Sequence, residues 1–552
     1  MSLSVGARPR RRADAPDRYH RRATWGPWAS SFCLVVGVLV ARNAFLFRTP
    51  LHELADYADD SILIEQARHL DLLVGNYSRE HFSHPGPAYL YVQAGGEWLF
   101  WSMLHWVPTA WNGQLLAAFV LNASAAACVP HLCARWGGPG RGGAAGAVAG
   151  LAVVLGFAAA HPSAYSLNWM PYLYVPMYLA FVVAVASVAA GRIKDAPIAA
   201  TVGWFLMEGH ACFLLLVPLL GAAAVAALAC DRGLPGRRLP GGGLYGDGLH
   251  RDGLHRDTAR RAGAAVAVIS ALFALPIAVN LALHWPGQFG RYLHYTGSAR
   301  AGVRAPVEVA RYALWFWWPG RGAWAVTAAL CGAAGLVAWR VTDRRLRRFL
   351  VALLAMDALS TLGFLAYVVV GVDEPSQHYI GYFYWSAPVI AALVIAVGGV
   401  GLLAARPSAA MALPLVAALV AAVAFAVAPQ ARVSTSRTDP ADRATGPNTD
   451  PLVPAAVSVL HGRSGGKTIV LRTAQNDAWP EMPALLVEAE RTGTAACVAS
   501  IGWEYMVTSQ FICSNREIQR GVTYTLRLPG PVPPGTSVVF RLRRAIVTTG
   551  AK

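Results

Sequence analysis

Runs of 17 to 21 mostly apolar residues recur along this chain, at 31–47, 263–283 and 409–427 among others, and they constrain its fold more than any other feature. At 1.5 Å of rise per residue, about 20 residues cross the ~30 Å hydrocarbon core of a bilayer as a helix. A chain that is 55% hydrophobic and 14% charged has no soluble cores large enough for so much apolar surface, so that surface faces lipid. The fold class expected is an all-α polytopic membrane domain over 28–428 with eleven transmembrane helices. They lie near 28–46, 112–133, 143–160, 172–190, 196–208, 212–230, 263–283, 322–340, 349–371, 381–403 and 408–428.

The net charge of +17 would suggest a nucleic-acid partner for a soluble protein. Here most Lys and Arg lie in short stretches between apolar runs, so the charge reports topology and no nucleic acid is expected. Seven Arg lie from Arg8 to Arg22, seven from Arg232 to Arg261, and a cluster runs from Arg340 to Arg348. The basic N-terminus 1–27 and the loop 231–262 are therefore cytoplasmic, and 47–111 and 284–321 are outer loops of a bacterial inner-membrane protein. Within the first outer loop, 87–107 is expected to be juxtamembrane or re-entrant, because Gly95, Gly96 and Glu97 with flanking aromatics suit an interface better than a span. The Gly- and Arg-rich near-repeats of 231–262 cannot bury a core and are expected to be a disordered loop.

Beyond 428 the composition becomes soluble. A Pro-, Thr-, Asp- and Arg-rich linker over 429–451 leads into 452–552, where alternating β-branched segments at 468–472, 523–528 and 537–542 predict strands and 484–491 predicts a helix. This is a small α/β or β-rich extracytoplasmic domain. Six of eight Cys lie in or beside the spans; the other two, Cys497 and Cys513, share an oxidising compartment and are expected to form a disulfide.

The first outer loop holds Glu53, Asp56, Asp59, Asp60, Glu65, Asp71 and Glu80 against Arg68 and Arg79. Asp56, Asp59 and Asp60 have the i, i+3, i+4 spacing that sets three carboxylates on one helical face. Such charges repel unless a proton, a donor or a cation compensates them, which points to a general base or to a metal site at Asp59 and Asp60 for a divalent cation such as Mg or Mn. A solvated helix face has the same spacing. Next, Pro85 and Pro87 fix the backbone and present His84 beside Tyr77, Tyr89 and Tyr91. In the loop 284–321, Arg291, His294, Tyr295, Arg300, Arg304 and Arg311 form a basic counterpart that could hold phosphate or anionic lipid headgroups. His161, Glu208, His210, Asp373, Glu374 and His378 fall at outer ends of spans. Glu208 needs a function or a partner there, with Arg42 as the plainest partner, while Asp373, Glu374 and His378 either join the acidic site or cap a loop.

An acidic pair opening the first outer loop, followed by His-Pro entering an aromatic helix, resembles the GT-C superfamily of membrane glycosyltransferases, which includes protein O-mannosyltransferases and lipid A aminoarabinose transferases. The stretches 73–79 (Leu-Val-Gly-Asn-Tyr-Ser-Arg) and 84–89 (His-Pro-Gly-Pro-Ala-Tyr) resemble more closely an actinobacterial group of GT-C-like membrane proteins. Echoes follow at Asn168-Trp169-Met170-Pro171 and Glu208-Gly209-His210. Asn76, Met170 and Glu208 depart from that group's pattern, which has Pro at the first of these positions, a Trp-Asn-Pro type sequence at the second and an amide or hydroxyl residue at the third.

The resemblance implies transfer of a sugar from a polyprenyl-phosphate donor to a cell-envelope glycan, lipid or protein acceptor, with Asp60 as the base and Asp59 as the second choice. Asp56, Glu65, His84, Tyr89, Glu208, His210, Arg291, His294, Arg304 and His378 are the corresponding candidates for substrate binding. Trp479, Trp503 and Tyr505 are either core of the C-terminal domain or contacts to the acceptor glycan. Two other functions fit the same composition, a transporter or flippase of envelope lipids and a non-catalytic envelope scaffold.

Overall fold

Helices dominate the computed structural model, which describes residues 25–78, 80–233, 248–298, 305–372, 374–403, 407–428 and 449–550. The N-terminus 1–24, Arg79, 234–247, Arg300, Arg304, Asp373 and the linker residues 429–448 lie outside the described residues. Each expected span coincides with a helix. In chain order these are α1 (Gly26–Arg42), α4 (Ala110–Trp136), α5 (Arg141–Ala160), α6 (Met170–Ala189), α7 (Ala196–Gly209), α8 (Phe213–Gly233), α9 (Gly248–His284), α12 (Ala323–Arg340), α13 (Arg344–Gly371), α14 (Ser386–Leu402) and α15 (Pro407–Val427). Outer segments supply α2 (Asp56–Arg68), α3 (Ala88–Gly96), α10 (Gly287–Ser298) and α11 (Pro306–Trp315).

Nine helices among the described residues are long and apolar enough to cross a membrane. The two expected spans outside that set are short: α1 has 17 residues and α7 has 14, the latter rising only about 21 Å. Leu272, Leu275 and Leu283 of α9 and Leu419 and Val420 of α15 are exposed, as lipid-facing positions must be. The stretch 248–262, expected as loop, is helical and forms the first part of α9. In the segment 87–107, the nine residues of α3 run into a seven-residue π-helical stretch, Glu97–Met103. A Cβ at Gly96 would lie 2.6 Å from the Gly113 carbonyl oxygen, so glycine permits the close crossing of α3 and α4.

The C-terminal domain is a five-stranded mixed sheet. Numbering the two-stranded hairpin Tyr77–Ser78 and Phe82–Ser83 as β1 and β2, the domain contains β3 (Ile469–Thr473), β4 (Ala496–Val498), β5 (Val522–Arg527), β6 (Ser537–Arg541) and β7 (Ile546–Thr549). Their order is β4-β3-β5-β7-β6, with β3 parallel to both β4 and β5 and the remaining pairs antiparallel. Alternation along β3 sends Ile469 and Leu471 into the main core with α16 (Val453–Ser464) and α17 (Glu481–Arg491), and Val470 to the other face against the Cys497–Cys513 disulfide.

Candidate active site

The acidic helix α2 is held between two cores. Tyr57, Leu63, Ile64 and Ala67 pack into the membrane domain, while Leu54, Ala58 and Ile62, spaced i, i+4, i+8, pack into the core of the C-terminal domain. Ala55, which precedes α2, has φ of 52°, a left-handed conformation costly for a residue with a Cβ. Its N–H donates to the Pro480 carbonyl at 2.9 Å, which helps hold that turn. The C-terminal domain thus fixes the start of the carboxylate helix.

This double burial removes the solvated-face reading of the three aspartates. Asp59 is fully buried and Asp60 is 4% exposed. Asp56 accepts hydrogen bonds from the Tyr77 hydroxyl and, at 2.9 Å, from Trp169 Nε1. Burial raises the proton affinity of Asp56, opposed by those two donors. It pushes Asp60 well above the ordinary carboxylate range, and the charge of Asp56 adds to that rise.

Asp59 is raised by burial and then by Asp56 and Asp60, with the nearby Tyr77 hydroxyl opposing, and among the described residues neither of its oxygens has a hydrogen-bond partner of ordinary geometry. Because the folded-state proton affinity of Asp59 exceeds that of the unfolded chain, its burial costs increasingly more as pH rises above the ordinary carboxylate value, until the folded group itself ionises. Asp59→Asn should therefore melt higher than wild type, on the order of 1 kcal/mol more stable at neutral pH. The gain should shrink toward pH 4, and an equal melting difference at both pH values would contradict this.

Asp56 and Asp60 line a cavity of about 1600 Å³, whereas Asp59 is not among its lining residues. Adjacent residues on a helix point ~100° apart. Among the described residues, no three His, Cys, Asp or Glu side chains are grouped to hold a metal ion. The lining also includes Glu80, His84, His161, His210 and His378, and among the described residues that form it there is no Arg or Lys. Aromatic rings form much of the remaining wall, among them Trp169, Tyr172, Trp315, Tyr379, Tyr382 and Trp385. His378 stacks on Trp315 at 3.9 Å and His161 on Trp385 at 4.2 Å.

The loop carrying His84 folds around Glu208. Glu208 Oε2 accepts the Ala88 N–H at 2.8 Å in the first turn of α3, where a carboxylate also opposes the positive end of the helix dipole. The Glu208 carbonyl accepts the Gly86 N–H at 3.0 Å. Arg42, the expected partner, instead points toward the Ala428 carbonyl. A Cβ at Gly86 would stand 2.5 Å from Glu208 Cγ, so Gly86→Ala should displace the Glu208 side chain from Ala88 and destabilise the protein by about 1–3 kcal/mol. Combining it with Glu208→Ala should cost less than the sum of the two in thermal melts, and strict additivity would refute that coupling.

The His84 and His210 rings lie against each other at a tilt of 33°, with centroids 4.3 Å apart. His84 Nδ1 accepts the Ala211 N–H at 3.3 Å, and His210 Nδ1 accepts the Cys212 N–H at 3.2 Å. Burial lowers the proton affinity of both rings, with the His210 charge a further cause for His84. A neutral ring that accepts at Nδ1 carries its proton on Nε2, so the cavity wall holds two Nε2–H donors side by side.

No family model and no curated protein matches this chain. Solved structures similar to it include two of one archaeal protein. The Archaeoglobus fulgidus oligosaccharyltransferase in complex with Zn and sulfate is 9% identical with a TM-score of 0.36, over 91% of this chain and 68% of that one. The apo form of the Archaeoglobus fulgidus oligosaccharyltransferase is 13% identical with a TM-score of 0.34, over 87% of this chain and 65% of that one. No function follows from a likeness of this size.

Several expected site residues stand apart from the cavity. Glu65 pairs with Arg68 at 3.1 Å, and Tyr89 packs beneath the wall against Tyr174 and Phe205. Arg291 is exposed on α10 and donates to the His81 carbonyl at 3.0 Å; His294 is likewise exposed and Arg304 lies outside the described residues. Helix α10 meets the cavity through Tyr292, whose hydroxyl donates to the Ser83 carbonyl at 2.6 Å. Glu374 caps its loop through Ser376 and Gln377. Sequence reasoning missed Trp169 as a holder of Asp56 and Trp315 and Trp385 as stacking partners of histidine. Trp169 lay in a stretch already noted for its resemblance, while Trp315 and Trp385 offered only their place at helix ends.

Proposed function

We propose that this chain is a membrane glycosyltransferase that moves a sugar from a polyprenyl-phosphate donor to a hydroxyl of a cell-envelope acceptor, at the outer face of a bacterial inner membrane. One observation carries the reading: a single cavity joins the buried carboxylates of α2 to an apolar wall contributed by the spans. That wall includes Val153 and Phe157 of α5, Leu215 of α8, Val370 of α13 and Val389 of α14. A lipid-linked sugar is amphiphilic in the same sense, with an isoprenoid chain to lie along the spans and a sugar phosphate to reach the carboxylates.

In this reading Asp60, without a donor bound to it among the described residues, takes the proton of the acceptor hydroxyl as its oxygen bonds to the sugar's anomeric carbon. The bond from that carbon to the phosphate oxygen breaks, and polyprenyl phosphate leaves with the electron pair. Asp56, fixed by Tyr77 and Trp169, stands beside Asp60, and its negative charge when ionised raises the proton affinity of Asp60 and strengthens it as a base. The Nε2–H groups of His84 and His210 would receive the departing phosphate.

The test is sugar transfer by purified protein in lipid, with a panel of polyprenyl-phosphate hexoses and pentoses and envelope glycans as acceptors. Transfer by wild type that is lost in Asp60→Asn, with melting preserved, supports the reading. Transfer at full rate in Asp60→Asn overturns the base, and lipid translocation without transfer from any donor would make the protein a flippase.

A further inference from the structure

The soluble domain reaches the cavity at one described residue, Trp479. Its ring is partly exposed, although the residues on either side of it, Ala478 and Pro480, are buried. Through the neighbouring Pro480, whose carbonyl accepts the Ala55 N–H, Trp479 is tied to the residue that opens α2, one position before Asp56. Two other aromatics of the domain behave differently. Neither lines the cavity: Tyr505 lies against His81, with centroids 4.3 Å apart, and Trp503, like Trp479, packs against the domain core.

We propose that Trp479 is a stacking platform for a sugar ring of the acceptor, so that the C-terminal domain supplies the acceptor subsite and α2 the base; this rests on the glycosyltransferase reading above. An indole face presents a flat, electron-rich surface that the axial C–H face of a pyranose or furanose covers without desolvating its hydroxyls. The Pro480–Ala55 hydrogen bond fixes the platform relative to the carboxylates, as a subsite must be fixed if it is to present one hydroxyl to Asp60.

Binding and transfer separate this inference from the reading beneath it. Full-length protein in nanodiscs would be titrated calorimetrically with mannotetraose and with arabinotetraose, in the absence of any donor. One of the two should bind wild type and Asp60→Asn alike, at least tenfold more weakly to Trp479→Ala, and within about threefold of wild type to Trp479→Phe. In transfer assays Trp479→Ala should raise the acceptor KM about tenfold with donor KM unchanged and kcat within twofold. Equal binding by Trp479→Ala and wild type, or binding of neither tetrasaccharide by wild type, overturns the subsite. So does a loss in Trp479→Ala that Trp479→Phe fails to restore. Trp479-dependent binding without transfer from any donor would keep the subsite and remove the glycosyltransferase.

Discussion

Asp60→Asn should slow sugar transfer by roughly 10²–10⁴-fold while leaving donor binding nearly intact, the range typical for loss of a positioned general base. The buried amide keeps the shape of the carboxylate, so the effect reports chemistry rather than packing. The pH profile supplies a second readout. Burial, and then the charge of Asp56, raises the proton affinity of Asp60, so the rate should climb with pH on a limb above the ordinary carboxylate range. Asp56→Asn removes the like charge, and the limb should then move to lower pH even as the rate falls. A limb that stays put, or moves up, would mean that another group is the titrating base.

That prediction depends on burial, which the spacing of the three aspartates does not reveal. Spans are legible because lipid demands long uniform apolar runs, and β3, β5 and β6 are legible because β-branched residues cluster in short runs there, whereas β4 and β7 carry too little pattern to be read. Helix α2 belongs to neither class. Its Ala58 and Ile62, with Leu54 just before it, look like an ordinary amphipathic face, and the partner surface is built from residues about four hundred positions later in the chain.

The same distance hides the pairings of charged groups. Glu208 announces that it needs a partner, but the partner is a backbone N–H at the start of α3, which carries no side-chain signature. The basic loop looked like the counterpart of the acidic one, yet Arg291 satisfies a backbone carbonyl outside the cavity. Charge totals of loops report topology well because translocation counts charges. They report sites poorly, because a site depends on where each side chain ends.

The largest stability effect should come from a residue that sequence reasoning passed over. Arg491, at the end of α17, pairs with Glu53 at 2.8 Å and with Glu97 at 3.2 Å, joining the soluble domain to the residues before α2 and to the π-helical stretch after α3. Glu53 is 3% exposed and Glu97 is fully buried. Gln114 donates to Glu97 at 3.0 Å and exchanges hydrogen bonds with Ser61 of α2, which extends the network beneath the carboxylate helix. Burial raises Glu97 to about 6, with Arg491 the strongest opposing influence.

Removing the guanidinium leaves buried Glu53 without its cation and Glu97 with only Gln114 and, at 3.8 Å, Arg68, so Arg491→Ala should cost about 3–5 kcal/mol, the usual penalty for breaking a buried ion pair from one side. In a domain of about one hundred residues that lowers the melting midpoint by roughly 10 °C or more. Arg491→Lys should fall between, because one ammonium cannot serve both carboxylates with the geometry of a planar fork. The double variant Arg491→Leu with Glu97→Gln should recover part of the loss, since it leaves one fewer orphaned charge. Its recovery should be greater at high pH, where wild-type Glu97 is ionised. If Arg491→Ala melts with wild type, hydrophobic docking through Leu54, Ala58 and Ile62 alone holds the domain to α2, and the ion pairs contribute only register.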